Sequence, residues 1–175
     1  MRKLALLSSV LVCVAALSAP AQQPPAPSAA PAASIEPPSG ERLLMEVQAE
    51  GIQNYSCVTE NGASTWKFQG PEAKLTTSDG KLAGSHFAGP TWRLLDSSEV
   101  KGSMAASKPA PEAGAVPWLL VKVASHNGNG KLSAADYVTR TNTKGGVAPQ
   151  SGCDAAHQGV AAPVPYSATY RFYGK

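Results

Sequence analysis

Charge is scarce in this chain. Only 15% of its 175 residues are charged, and the basic and acidic side chains nearly cancel at 15 against 12. Arg2 and Lys3 fall in a removable leader, which leaves 13 basic residues and a balance of +1. There is no basic stripe, so the chain lacks the electrostatic footprint of a nucleic-acid binder. Aromatics are few as well, at 6%. A histone-like protein, a coiled coil and a multi-spanning membrane protein are excluded on these grounds. What the sequence does have is turn chemistry: 16 Gly and 15 Pro, in a length suited to one ordinary domain. That balance fits a turn-rich β protein, and it reveals no activity.

The first 21 residues read as a secretory signal peptide. Arg2-Lys3 is a short positive region, residues 4–17 are apolar except for Ser8 and Ser9, and Ala19 and Ala21 supply the small residues a signal peptidase reads. The apolar run is too short for the roughly 20 residues of a spanning helix, and no basic stop signal follows. Cys13 lies inside the run after a bulky Val12, which disfavours a lipidated cysteine. The chain is expected to be exported, to a periplasmic or extracellular location, with no transmembrane segment after cleavage. Residues 22–40 hold six prolines and five alanines with Glu36 as the only charge, and read as a disordered linker. Residues 41–175 are left as a single β-rich domain.

Without the leader only Cys57 and Cys153 remain. In an oxidising compartment one even pair favours a disulfide, and no Cys-x-x-Cys motif supports a redox role. Closing so long a loop stabilises by up to ~4.7 kcal/mol in the chain-entropy picture. Loss of the bond is therefore expected to lower melting temperature more than affinity for any ligand.

Short strands punctuated by turn signals fill the domain. Tyr55 and Cys57 share a face with Asn54 and Ser56 opposite, Asn61-Gly62 signals a hairpin, and Asp79-Gly80 and Gly89-Pro90 break the chain again. Trp66 and Phe68 fall on one face of the next strand. Residues 118–123 form the most apolar run, and Tyr166, Ala168, Tyr170 and Phe172 alternate with polar neighbours as in a half-buried strand. Residues 43–48 offer a weak helical window, and residues 133–137 a single turn. The expected architecture is all-β: an antiparallel sandwich or partly closed barrel with long loops and at most short helices.

Six motifs in order carry a family resemblance. They are residues 51–57 with Trp66, Gly70-Pro71-Glu72-Ala73, Gly84-Ser85-His86-Phe87-Ala88-Gly89-Pro90-Thr91-Trp92, Pro117-Trp118-Leu119-Leu120, residues 140–149 before Cys153, and residues 166–173. Together they resemble the secreted domain-of-unknown-function family 3455 of bacteria and fungi, over about residues 43–173. The resemblance implies export, a β-rich fold and the two cysteines, and supplies no reaction. A dehydrogenase label carried by some fungal relatives finds no support, because no Gly-x-Gly-x-x-Gly follows a strand. One departure is Asp96-Ser97-Ser98, where the family usually shows Asp-Gly-Ser; this puts a tight turn in doubt.

His86, between two glycines, is the first candidate for a site, with Trp92 as a stacking wall and, more weakly, Asp96 and Arg140. The competing reading is a half-buried histidine bonded to backbone across a Gly-Pro turn, with Trp92 in the core. No pair among His86, His126 and His157 has a short ligand spacing, so no metal is expected and no cofactor is implied. Residues 125–136 track an EF-hand loop only superficially, since Ser125 and Asp136 replace the essential carboxylates. Gly145-Gly146 lacks the flanking residues of a phosphate loop, and there is no Gly-x-Ser-x-Gly elbow. The leading expectation is a monomeric, non-enzymatic binding or surface module, its partner a glycan or a small molecule. A hydrolase using His86 with Asp96 or Asp154 is the alternative, and a purely structural secreted protein the third reading.

Overall fold

The computed structural model describes residues 34–175. The expected signal peptide and residues 22–33 of the expected linker lie outside them. Within the described part, Ile35 is already buried at 3% exposure, before the first strand begins.

Eight strands follow one another: β1 (Arg42–Glu60), β2 (Ala63–Thr76), β3 (Leu82–Phe87), β4 (Thr91–Leu94), β5 (Glu99–Lys108), β6 (Trp118–Asn127), β7 (Tyr137–Gly145) and β8 (Ala161–Gly174). Each pairs antiparallel with its sequence neighbours, and β8 returns to β1, so the sheet closes into a ring. The all-β expectation holds, and of the two architectures considered the sheet takes the closed one. Closure gives every strand two neighbours, although residues 63–71 of β2 pair with β1 alone. A single turn of 3₁₀ helix, Ala155–His157, interrupts the β7–β8 loop, with Asp154 Oδ1 accepting from Ala156 N as its cap.

β1 makes the ring possible. Its residues 48–60 pair with β2 and its residues 42–56 with β8, with a bulge at Asn54/Tyr55. A strand of 19 residues would run about 60 Å if straight, so serving two partners requires it to coil. This overturns the helical window at residues 43–48. Val47 and Ala49 alternate inward at 1% exposure while Leu43 and Leu44 stay exposed, and the Met45/Phe172 and Val47/Tyr170 pairings fix the segment as strand. Long-range pairing overrides a weak local preference here.

The hairpin and Gly-Pro turns fall where the sequence placed them, while the single turn expected over residues 133–137 lies earlier, because Tyr137 already belongs to β7. Asn61 (φ 51°) and Gly62 (φ 78°) close the β1–β2 hairpin in the left-handed conformation such a turn requires. Residues 131–134 form turns, with Ala135 N bonded to Leu132 O. Inside the ring, Tyr166, Ala168, Tyr170 and Phe172 of β8 meet Trp92, Leu75, Val100, Val121 and Val138 in one core. Trp66 and Phe68 do not join it: Phe68 is half exposed and packs on Tyr55, 5.4 Å between ring centroids.

Cys57 and Cys153 are bonded, with Cα atoms 5.3 Å apart. The bond ties the β7–β8 loop to the upper part of β1. Cys57 N donating to Val160 O and Gly159 N donating to Cys57 O hold the same junction. No helix among the described residues is long and apolar enough to cross a membrane.

Candidate functional site

His86 on β3 and Trp92 on β4 are direct cross-strand partners, brought together by the tight Ala88-Gly89-Pro90 connection. Facing pairs on a sheet lie close enough for their side chains to meet. Their rings stack 4.5 Å apart at 10°, and Tyr170 of β8 closes on both edgewise at 4.9 and 5.4 Å. His86 Nδ1 lies 2.8 Å from the Thr91 carbonyl oxygen. A carbonyl can only accept, so Nδ1 carries the proton and Nε2 of the neutral ring is left as an acceptor. Burial pushes the His86 pKa down to about 3, opposed by the Thr91 bond and assisted by the Arg140 charge. The ring is neutral throughout the physiological range.

Above this aromatic triad a cleft of about 510 Å³ opens beside the β3–β4 and β5–β6 loops. Phe68, Pro71, Pro90, Met104 and Leu119 give it apolar walls, and Gln53, His86 and Arg140 supply polar groups. A smaller chamber of about 50 Å³ lies against Trp92, Val138 and Tyr170, and shares His86, Met104 and Arg140 with the cleft. No aspartate, glutamate or lysine lines either space.

Arg140 reaches the cleft from β7. Its Nε and Nη2 donate to the Pro117 carbonyl at 3.1 and 2.8 Å. It forms none of the ion pairs among the described residues, where Arg93 pairs with Glu99 and Arg171 with Glu46. Gln53 is 1% exposed, and its amide Nε2 has no hydrogen-bond partner. The Tyr166 and Tyr170 hydroxyls are also buried, without a hydrogen bond of good geometry, and they face one another, with Tyr170 next to Arg140. Burial raises the pKa of both phenols, while the Arg140 charge pulls the other way. Tyr55 donates to Gly146 O at 2.8 Å, linking the cleft wall to the start of the β7–β8 loop.

Three of the four residues singled out from sequence therefore meet: His86, Trp92 and Arg140. Trp92 is 1% exposed and backs His86 from within the core, so it forms no open stacking wall. Asp96 lies beyond β4, in the β4–β5 turn. Its Oδ1 accepts from Ser98 N and Oγ, and its Oδ2 from Lys131 N, all of which lower its pKa. It braces the loop that superficially tracked an EF-hand, where Gly130 packs so closely that a Cβ would sit 2.5 Å from the carboxylate. Asp154 is likewise engaged, bonded to His157 Nδ1 at 2.7 Å. No group of three potential metal ligands occurs among the described residues.

Gln53, Tyr55, Phe68, Met104 and Leu119 line the cleft without having been singled out as site residues from the sequence. Gln53 could have been found. It shares the parity of Tyr55 and Cys57 along β1, so an amide was bound to point where apolar side chains do.

A closed antiparallel ring with an apolar, cationic cleft at one mouth defines an all-β protein with a small-molecule-sized cavity. The chain matches the family described as Protein of unknown function (DUF3455) over residues 38–174, and it belongs to that family. No curated protein and no solved structure matches it.

Proposed function

We propose that this protein is an exported, non-enzymatic binding module that holds a small, largely apolar ligand in the cleft above His86. The observation that carries the reading is the cleft's composition. Its volume lies within the usual range for ligand sites, its walls are apolar, and a few polar groups converge on it. A glycan stacked on Trp92 is disfavoured, because Trp92 is sealed beneath His86, and the one cleft-lining aromatic left half exposed is the small Phe68 ring. Hydrolysis fits less well too. His86 is oriented by a backbone carbonyl, and both carboxylates considered for it are bonded elsewhere. Export accords with the disulfide, a bond that persists in oxidising compartments.

The test is binding of N-phenyl-1-naphthylamine, a neutral dye that brightens in apolar surroundings. The protein should bind it, and Ser107→Trp, which fills the cleft from an exposed position on β5, should abolish the signal. A dye that stays dark, or one that binds Ser107→Trp equally well, overturns the reading.

A further inference from the structure

We propose that the cleft's occupant is an organic anion, a flat apolar body carrying one carboxylate that pairs with Arg140. The inference rests on the binding reading above and deepens it. A guanidinium in an apolar, partly enclosed space is costly unless a counter-charge meets it. Arg140 has no acidic partner among the described residues, and only the Pro117 carbonyl occupies its Nε–Nη2 edge. The guanidinium also meets the buried Tyr170 hydroxyl, and its remaining N–H groups are the ones a ligand carboxylate would take. With no lysine and no second arginine lining the cleft, the site has one positive charge and suits a monoanion.

A second observation points the same way. Gln53 is buried with an unpartnered amide nitrogen at the cleft wall, an arrangement proteins rarely leave unless something else satisfies it. On the other side, His86 Nε2 is held as an acceptor by the Thr91 bond, so it selects a hydroxyl or N–H on the ligand and not a second carboxylate. Between them, Phe68, Pro71 and Leu119 leave room for a ring system.

The experiment compares 2-naphthoate, 2-naphthamide and 2-naphthylmethylammonium as competitors of N-phenyl-1-naphthylamine. On the unaltered protein, naphthoate should compete about tenfold better than the amide, as a charge-assisted contact predicts, and the ammonium worst. Arg140→Gln should bring naphthoate and amide within about twofold, and Arg140→Lys should fall between. Should Arg140→Gln fail to fold, the three competitors on the unaltered protein decide the matter alone. Equal competition by acid and amide, or a preference that survives Arg140→Gln, overturns the anion proposal while leaving the cleft reading intact. Failure of the dye itself to bind overturns both.

Discussion

His86 and Trp92 stack 4.5 Å apart, within 10° of parallel, and the tryptophan is buried behind the histidine. The imidazole is thus a core ring with one edge at a cavity, and the core sets its protonation. In the folded protein its pKa lies near 3, whereas in the unfolded chain it returns to about 6.5. The sign follows directly. Above about pH 6.5 both states are neutral and full stability is present; below it the unfolded chain takes up a proton that the folded chain refuses. Stability therefore falls as pH drops from about 6.5 toward 3, by about 2 kcal/mol at pH 5. Urea unfolding at pH 7 and pH 5 should show this loss, and His86→Phe should flatten that part of the profile. Equal midpoints for the unaltered protein at both pH values would refute it.

Much of the fold was legible because its signals are local. The β8 alternation, the Asn61-Gly62 turn and the Gly89-Pro90 break each follow from residue chemistry within a few positions. Ring closure was not, since it depends on β1 pairing with a strand more than 100 residues away. The same distinction divides the site. His86 and Trp92 could be paired from sequence because one short turn joins them. Asp96 is only four residues beyond Trp92, yet it falls past the end of β4, in the β4–β5 turn at the opposite end of the barrel. Arg140 joins the cluster through tertiary packing alone.

Gly51 tests how closely the sheet packs on β1. It pairs with Ala73 on one side and Tyr166 on the other, and an added Cβ would sit 2.0 Å from the Glu72 carbonyl oxygen. The obstacle is backbone, which cannot swing aside. Gly51→Ala should cost about 3 kcal/mol, toward the upper end of overpacking effects. Chemical denaturation reads this directly, and an unchanged midpoint would show that β1 has slack that the geometry denies.

Ser97 has a left-handed φ of 69°. The tight turn forms nevertheless, with Ser97 N donating to Leu94 O and Asp96 Oδ1 capping Ser98. A serine in that conformation is strained, so Ser97→Gly should stabilise by up to about 1 kcal/mol after the glycine's extra unfolded-state freedom is counted. Asp96→Ala should do the reverse, removing the acceptor for Ser98 and for Lys131 N. A Ser97→Gly variant melting below the parent would contradict this account of the turn.

The disulfide gives the last prediction. It spans 96 residues and fixes the β7–β8 loop, but it is not that loop's only anchor. Trp66 Nε1 donates to Ser151 O at 3.0 Å, and backbone bonds join Cys57 to Val160 and Gly159. Replacing Cys57 and Cys153 together with Ser should lower stability by roughly 2–5 kcal/mol, because the unfolded chain regains the freedom the bond removed. The cleft lining meets this loop at Gly146, through Tyr55, Gln53 and Val116, and Gly146 lies seven residues before Cys153, so dye affinity should fall by no more than about threefold once measured well below the new melting temperature. Thermal melts and dye titrations on the same preparation separate the two effects. Peptide mapping that finds Cys57 and Cys153 both reactive toward a thiol reagent, in denatured protein never exposed to reductant, would remove the bond from the account. A large loss of affinity with little loss of stability would instead make the β7–β8 loop part of the binding wall.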